Sequence, residues 1–238
     1  MKGDKQVTES SSMKSGEFIA ELKNRFLCTV SVAGETVTCY IPSSCRVSNF
    51  MDLTGKTVLL KPISSPNART SYSLYAIKYR NQFILLNMAQ VNRVVFDALG
   101  TRRFSFLGKR KKVSREYSIE GYRTDLFVHD SHTLIEIKGV LSFDRSATFP
   151  TVYSERAEKQ LQKIVNLLDR GYHACYAIVS MNPGVHEVRI NPCMTGFYRL
   201  FCECITKGMT TCAVSITLRD GIPFLKRTIP VIHETMPL

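Results

Sequence analysis

Short apolar runs separated by turn residues fill the chain from Glu17 to about Asn87. Their length and their alternation of apolar and polar positions are typical of β-strands. Turn residues such as Ala33-Gly34 and Pro66-Asn67 separate the runs. Five short strands in so short a stretch predict a small β-barrel. The predicted strands are residues 24–32, 35–41, 56–61, 71–79 and 82–87.

The chain has a different pattern before and after these strands. Residues 1–16 contain almost nothing to bury, and we predict a loose terminus there. From Ala89 the apolar positions follow a helical spacing that closes at Gly100. The sequence therefore predicts a barrel at residues 17–88, with the oligonucleotide-binding (OB) fold as its leading version, and a second domain at residues 89–238.

Helices and strands alternate in the second domain. Its clearest helix starts at Ser154, which can cap it, and ends at Gly171. A strand, a helix and a strand at this spacing predict a right-handed crossover onto a parallel neighbour. We expect an α/β mixed sheet with helices packed on it, so the whole chain is of the α+β class. The later predicted elements are a strand at 172–179, a helix at 195–206 and strands at 211–218 and 223–230.

A hairpin is predicted at residues 123–140, where two apolar runs flank the polar stretch from His129 to His132. If these four polar residues form the connection, Asp125 lies directly opposite Glu136, with Cβ atoms roughly 5 Å apart. Lys138 shares a face with Glu136 because side chains alternate along a strand. The hairpin thus predicts an Asp, a Glu and a Lys on one patch.

Facing carboxylates repel unless a cation lies between them, and a divalent metal with oxygen ligands is a common solution. We expect Asp125, Glu136 and the Ile137 carbonyl to bind Mg²⁺ or Mn²⁺, and Lys138 to orient the attacking water or offset transition-state charge. Glu116 is a candidate to complete the metal site, and Glu120 is its nearby competitor for that role. This set suits hydrolysis of phosphodiester bonds. The alternative is an ordinary solvated hairpin, but the apolar residues around the charges favour a functional role.

A net charge of +12 favours an anionic partner, nucleic acid first and an acidic membrane surface second. Basic and aromatic residues interleave in the barrel, which suits a groove that binds phosphates and stacks bases. The alternative is that the rings are core and the charges face solvent. The basic run 109–112 is a candidate to bind substrate phosphate, and the alternative is a solvated loop. Candidate nucleic-acid contacts are Arg25, Lys56, Arg69, Tyr72, Lys109, Lys112, Arg123 and Arg156, and candidate supporting residues of the active site are Glu155 and Gln160.

The eight cysteines include no Cys-x-x-Cys pair and no neighbouring His at zinc-ligand spacing, so a zinc module is not expected. Many of the cysteines lie inside apolar runs, so we expect them to be small buried residues. We also expect them to be reduced, as in a reducing compartment. The first residues lack a signal-peptide core, and no apolar run approaches membrane-spanning length. We expect a soluble, cytoplasmic protein.

Several motifs resemble the sugar fermentation stimulation protein family, in the family's order and over nearly the whole chain. They are Pro42-Ser-Ser-Cys45, Arg69-Thr-Ser-Tyr-Ser-Leu, Arg123-Thr-Asp-Leu, Ile135-Glu-Ile-Lys-Gly-Val, the stretch from Phe149 through Ser154-Glu-Arg-Ala-Glu-Lys-Gln-Leu, and Ile229-Pro-Val.

The resemblance implies an OB barrel joined to a domain of the restriction-endonuclease-like superfamily. That superfamily's Asp and Glu-x-Lys fall on Asp125, Glu136 and Lys138, and its earlier acid falls on Glu116. The family's Ser/Thr-Glu-Arg helix start falls on residues 154–156. Two departures are visible. Pro42-Ser-Ser-Cys45 replaces Pro-Asn-Thr-Gly, which brings nucleic-acid contact by that loop into question, and Gly139 replaces a Ser without touching the catalytic atoms.

Two functions follow as hypotheses. The first is a Mg²⁺- or Mn²⁺-dependent nuclease, with DNA favoured over RNA as its substrate. The second is a DNA-binding transcriptional regulator in which the second domain is only a platform. The family resemblance links this regulator to sugar metabolism. A structural or assembly protein has little support. The assembly state is left open, a homodimer included.

Overall fold

β-Strands with inward-facing apolar residues build the first part of the chain in the computed structural model, which describes residues 13–42, 46–49 and 51–233. The chain divides into two compact units between Asn87 and Met88. The strands of the first unit are β1 Lys14–Glu21, β2 Leu27–Val32, β3 Glu35–Tyr40, β4 Thr57–Pro62, β5 Tyr72–Tyr79 and β6 Gln82–Leu85.

The first five strands close into a barrel. They are hydrogen-bonded in the order β3-β2-β1-β4-β5, and β3 also pairs with β5 in parallel. Because β3 meets β5, no edge is left open among these five strands. Val30, Leu60 and Leu74 are fully buried inside. This is the predicted OB-like barrel, and β6 extends it by pairing with β5.

Sequence analysis missed β1, which begins at Lys14 inside the segment predicted as a loose terminus. The strand buries only Phe18, so its residues read as polar. Gly16 brings it close to β2: a Cβ there would lie 2.6 Å from Val30 Cγ1 and 2.7 Å from the Ser31 carbonyl oxygen. Residues 1–12 lie outside the described part of the chain.

The second unit combines three helices with two sheets. The helices are α1 Val91–Ala98, α2 Glu155–Asp169 and α3 Thr195–Thr206. The strands are β7 Val113–Ile119, β8 Tyr122–Val128, β9 Thr133–Val140, β10 Ser146–Phe149, β11 His173–Ser180, β12 Glu187–Ile190, β13 Thr210–Arg219, β14 Ile222–Ile229 and β15 Val231–Ile232. Short 3₁₀ helices lie at Val47–Asn49, Met88–Gln90 and Arg102–Leu107.

The larger sheet is mixed, as predicted, with strand order β14-β13-β11-β9-β8-β7. β9 and β11 are parallel neighbours joined through α2, and β11 is also parallel to β13. The other pairs are antiparallel. Sequence analysis missed the edge strand β7 and the small parallel sheet β10-β12-β15, because short or half-exposed strands lack a clear apolar alternation.

Packing of α2 and α3 on the larger sheet forms the main core. Ser154 caps α2 as predicted, accepting a hydrogen bond from the Ala157 amide at 3.2 Å. Tyr176 on β11 packs edge-on against Phe201 of α3, with ring centroids 5.6 Å apart. Burial of these large rings contributes a major part of the unit's hydrophobic stabilisation.

The seven cysteines in the described part of the chain are free thiols, and five of them are buried, as expected of small apolar residues. Cys45 lies outside the described residues. Over the same part of the chain, no helix combines the length and the apolar character that membrane crossing requires.

Candidate active site

The β8–β9 hairpin has the predicted register. Leu126 pairs with Ile135, Phe127 with Leu134, and Val128 with Thr133. The ladder stops there, and the next pair in the same register is Asp125 with Glu136. The two carboxylates therefore lie where the two strands begin to separate.

Side chains of β8 continue the ladder where its backbone leaves β9. The Thr124 hydroxyl donates to the Ile135 carbonyl at 3.0 Å, and Asp125 Oδ2 accepts from the Ile137 amide at 2.7 Å. The other carboxylate oxygen, Asp125 Oδ1, accepts from Asn92 Nδ2 of α1 at 2.8 Å. Asp125 is thus held from two directions, and its orientation is set before any ligand arrives.

Glu136 is a buried carboxylate, with 2% of the residue exposed. Lys138 Nζ donates to Glu136 Oε1 at 2.6 Å, and the Tyr122 hydroxyl donates to Oε2. Burial raises the pKa of Glu136, and the charge of Asp125 adds to this, while Lys138 and Tyr122 oppose it. The charge of Lys138 therefore compensates a carboxylate that the fold removes from water.

Lys138 is itself held by α2. Its Nζ also donates to Gln160 Oε1, at 2.8 Å. Gln160 was a predicted supporting residue, and it contacts the cluster directly. Side chains from four elements, α1, β8, β9 and α2, thus meet in one cluster. They are Asn92, Asp125, Glu136, Lys138 and Gln160.

Gly139 of β9 lies directly against the segment that leads into α1. A Cβ at Gly139 would lie 2.5 Å from Met88 Cε and 3.5 Å from Val91 Cγ2. The bare glycine lets this segment pack directly on β9. Gly139 therefore has a packing role.

The donor set suits a hard divalent cation. Asp125, Glu136 and the Ile137 carbonyl offer only oxygen ligands, as Mg²⁺, Mn²⁺ and Ca²⁺ prefer. Each carboxylate oxygen that accepts one hydrogen bond keeps a second lone pair. Within the described ranges, no group of three or more His, Cys, Asp or Glu side chains is placed to hold a metal. Any further ligands would therefore be main-chain oxygens, water or substrate.

Two predicted acids lie apart from this cluster. Glu116 is exposed, has a positive φ of 49°, and forms an ion pair with Arg123. Arg123 was a predicted nucleic-acid contact, and here it is bound to that carboxylate. Glu155 is exposed and pairs with Lys159 one turn along α2, at 2.7 Å. The structure thus places neither Glu116 nor Glu155 in the hydrogen-bonded cluster.

The remaining predicted nucleic-acid contacts are spread over both units. Arg69 and Arg156 are exposed, and Lys56 is half-buried. In the barrel, Arg25 lies over the Phe26 ring, 4.7 Å from its centroid, and Lys14 lies over Tyr72 at 5.4 Å. Lys109 and Lys112 are exposed in the loop before β7. Residues 43–45, which contain most of the altered Pro-Ser-Ser-Cys motif, lie outside the described part.

Sequence reasoning missed Tyr122 and Asn92. Tyr122 resembles an ordinary apolar strand residue, and burial raises its pKa, so its hydroxyl stays protonated as a donor to Glu136. Asn92 lies in a short helix far along the chain from Asp125. No spacing in the sequence connects either residue with the cluster, because tertiary packing makes both contacts.

An OB-like barrel followed by a mixed sheet with an Asp, Glu and Lys cluster defines a two-domain protein with a restriction-endonuclease-like second domain. Two family models match the chain: the SfsA N-terminal OB domain at residues 22–86 and the Sugar fermentation stimulation protein RE domain at residues 89–221. The chain belongs to the sugar fermentation stimulation protein (SfsA) family.

Curated relatives and a solved structure agree with this assignment. The Sugar fermentation stimulation protein homolog of Methanobrevibacter smithii is 25% identical over 181 residues, which cover 71% of this chain and 75% of the relative. The Clostridium kluyveri homolog is 31% identical over 162 residues, covering 66% and 70%. The structure of Pyrococcus furiosus SfsA in complex with Ca²⁺ has a TM-score of 0.76 at 16% identity and covers 93% of this chain and 96% of that one. The last comparison shows the shared fold.

Proposed function

We propose that this protein is a nuclease that depends on a divalent metal and hydrolyses phosphodiester bonds of DNA or RNA. The hydrogen-bonded set of Asp125, Glu136 and Lys138 carries the proposal. A buried carboxylate beside a second acid costs free energy, as the raised pKa of Glu136 shows. A protein that only binds nucleic acid does not require two neighbouring carboxylates, whereas a metal-assisted hydrolase requires them to bind its metal.

Asp125, Glu136 and the Ile137 carbonyl would hold the cation. When bound, a divalent cation supplies positive charge that polarises phosphate and water. The Pyrococcus furiosus relative was solved in complex with Ca²⁺, which supports a site for an oxygen-binding divalent cation in this fold. Mg²⁺ and Mn²⁺ share that ligand preference, and we propose them as the working metals.

The chain's own residues supply orientation and charge. Asn92 and the Ile137 amide hold the Asp125 carboxylate, and Tyr122 holds that of Glu136. Lys138, steered by Gln160, presents its ammonium group beside the scissile phosphate, where it orients a water molecule or offsets developing negative charge. Such positioning lowers the barrier because the groups are already oriented before reaction.

A DNA-binding regulator is the second candidate. It is favoured by the net charge of +12 and by the exposed Phe26 and Tyr40 rings of the barrel, which stack with centroids 6.5 Å apart. Base stacking on such rings needs no chemistry. This function predicts binding without cleavage.

The test is a cleavage assay on labelled single- and double-stranded DNA and RNA, with Mg²⁺, Mn²⁺ or EDTA. We compare wild type, Lys138→Ala, Glu136→Gln and Lys207→Ala, the last replacing a lysine at the C-terminal end of α3 that pairs with Asp169. Metal-dependent cleavage should fall by about 100-fold or more in the first two variants and stay unchanged in the third. Equal activity in wild type and Lys138→Ala would point to a contaminating nuclease. Binding of nucleic acid without cleavage by any of the four proteins would favour the DNA-binding regulator.

A further inference from the structure

A groove of about 630 Å³ lies between the C-terminal end of α2 and the face of β7 and β8. Its volume is within the range of small-molecule sites. Tyr117, His129, His132, Arg170 and Tyr172 line it together with Phe127. The groove belongs to the second unit and is distinct from the cluster around Glu136.

Aromatic rings form one wall. Tyr117 stacks on Phe127 with centroids 4.9 Å apart and an interplanar angle of 10°. His129 meets both rings edge-on, at 5.1 Å and 5.0 Å. Tyr117 is still 38% exposed. It is therefore a ring with a fixed orientation and free surface, which is what stacking of a planar ligand requires.

A basic loop lies beside these rings. The His129 amide donates to the Lys112 carbonyl at 2.9 Å, and the Lys112 amide donates to Asp130 Oδ2 at 2.9 Å. Lys109 also approaches Asp130, at 3.6 Å. These contacts hold the loop with the exposed Lys111 and Lys112 next to the turn that carries His129, and His129 lines the groove.

The opposite border of the groove is also anchored. Arg170 at the end of α2 forms an ion pair with Glu120, and Lys163 donates to the Gly121 carbonyl at 2.9 Å. Both contacts tie α2 to the turn between β7 and β8, which sets the width of the groove. Of the residues that line the groove, Arg170 and Glu120 are charged and neutralise each other. The exposed lysines of the neighbouring loop add positive charge, which favours a negatively charged ligand.

We infer that this groove binds a single-stranded segment of nucleic acid, with one base stacked on Tyr117 and a neighbouring phosphate on Lys111 and Lys112. The segment is single-stranded because a base inside a duplex has both faces covered by its neighbours, whereas an unpaired base can stack on a side chain. The inference rests on the proposed function for the class of ligand and adds a subsite and a preference for strandedness.

The groove is close to the candidate active site along β8. Phe127, under the Tyr117 ring, is two residues from Asp125, a separation of about 7 Å along a strand. The groove and the carboxylates therefore lie along the same strand, with the buried Phe127 beneath the Tyr117 ring.

The test measures binding separately from cleavage. Every protein carries Lys138→Ala and is kept in EDTA, and fluorescence anisotropy follows fluorescein-labelled single-stranded DNA and RNA and the matching duplex. We expect Tyr117→Ala to weaken single-strand binding by about tenfold, Tyr117→Phe to bind normally because it keeps the ring, and duplex affinity to change little. Phe224→Ala is the control, since Phe224 is 36% exposed on β14, at the other edge of the same sheet.

Equal single-strand binding by Tyr117→Ala and its parent, or equal losses in Tyr117→Ala and Phe224→Ala, would overturn the inference.

A second measurement needs no variant: single strands containing 5-iodouracil are cross-linked to the parent protein by light, and the modified peptides are mapped. Cross-links at Tyr117 or His129 support the groove, and cross-links found only elsewhere overturn it. Cleavage by the unmodified protein is scored apart, so a failed nuclease proposal would leave this result interpretable.

Discussion

Lys138 bonds to Glu136 at 2.6 Å and Gln160 at 2.8 Å, and these two contacts decide where its charge is presented. The sequence predicts the lysine and its face of the strand. It cannot assign Gln160 a contact, because the distance between the two residues depends on how α2 lies on the sheet. At the scale of single residues, chemistry follows from residue type, and orientation follows from neighbours that are distant in sequence.

Replacement of Gln160 tests this positioning role. In Gln160→Ala, Lys138 keeps its charge but loses one of its two side-chain partners, so we expect the turnover rate to fall by about tenfold while KM for nucleic acid changes little. Steady-state cleavage kinetics measure the split. Gln162→Ala, an exposed position on the same helix, should behave like wild type. A rise in KM with unchanged turnover would contradict the role.

Asp130 gives a pH dependence of defined sign. The hydrogen bond from the Lys112 amide lowers the pKa of its carboxyl below the ordinary value of 3.8. A lowered pKa means that the stabilisation is present above the ordinary pKa and is lost as pH falls through the lowered value. We therefore expect wild type to be more stable than Asp130→Asn at about pH 7, with the gap closing below about pH 4. Urea unfolding at several pH values measures it, and a gap that stays constant with pH would contradict the assignment.

Strands and helices differ in how well the sequence predicts them. α3 was predicted at residues 195–206 and is found at Thr195–Thr206, since its apolar stripe is continuous. The hairpin register was predicted because the polar turn and the alternation agree. β1 was missed because it buries a single side chain, and β10, β12 and β15 because they have two to four residues each.

Gly16 offers a test at the scale of elements. In Gly16→Ala, the new Cβ would meet Val30 Cγ1 and the Ser31 carbonyl, and the backbone oxygen cannot move aside. We expect a loss of about 1–3 kcal/mol in the free energy of unfolding of the barrel. Gly100→Ala is the matched control, because a Cβ there meets nothing within 4 Å, and the stability should be nearly unchanged. Urea denaturation of both variants measures the difference, and equal stabilities would refute the close packing of β1 on β2.

The net charge is a property of the whole molecule, because it depends only on the amino-acid composition. A net charge of +12 predicts that binding to nucleic acid releases counterions from the phosphates. We expect affinity for single-stranded DNA to fall by about tenfold or more between about 50 and about 200 mM salt, linearly on logarithmic axes. Fluorescence anisotropy across a salt series measures the slope. In Lys112→Ala the slope should shrink by slightly less than one, and an affinity that is independent of salt would contradict nucleic-acid binding through phosphates.

The sequence by itself determined the two-domain order, the barrel, the mixed sheet and the placement of Asp125, Glu136 and Lys138 on one hairpin. These features depend on local alternation, on turn chemistry and on residues of one hairpin, which are close in the chain. Only the tertiary structure decided that Asn92, Tyr122 and Gln160 complete the cluster and that Glu116 pairs with Arg123 instead. Helix packing and strand twist bring such groups together, and neither is encoded by the spacing of residues along the chain.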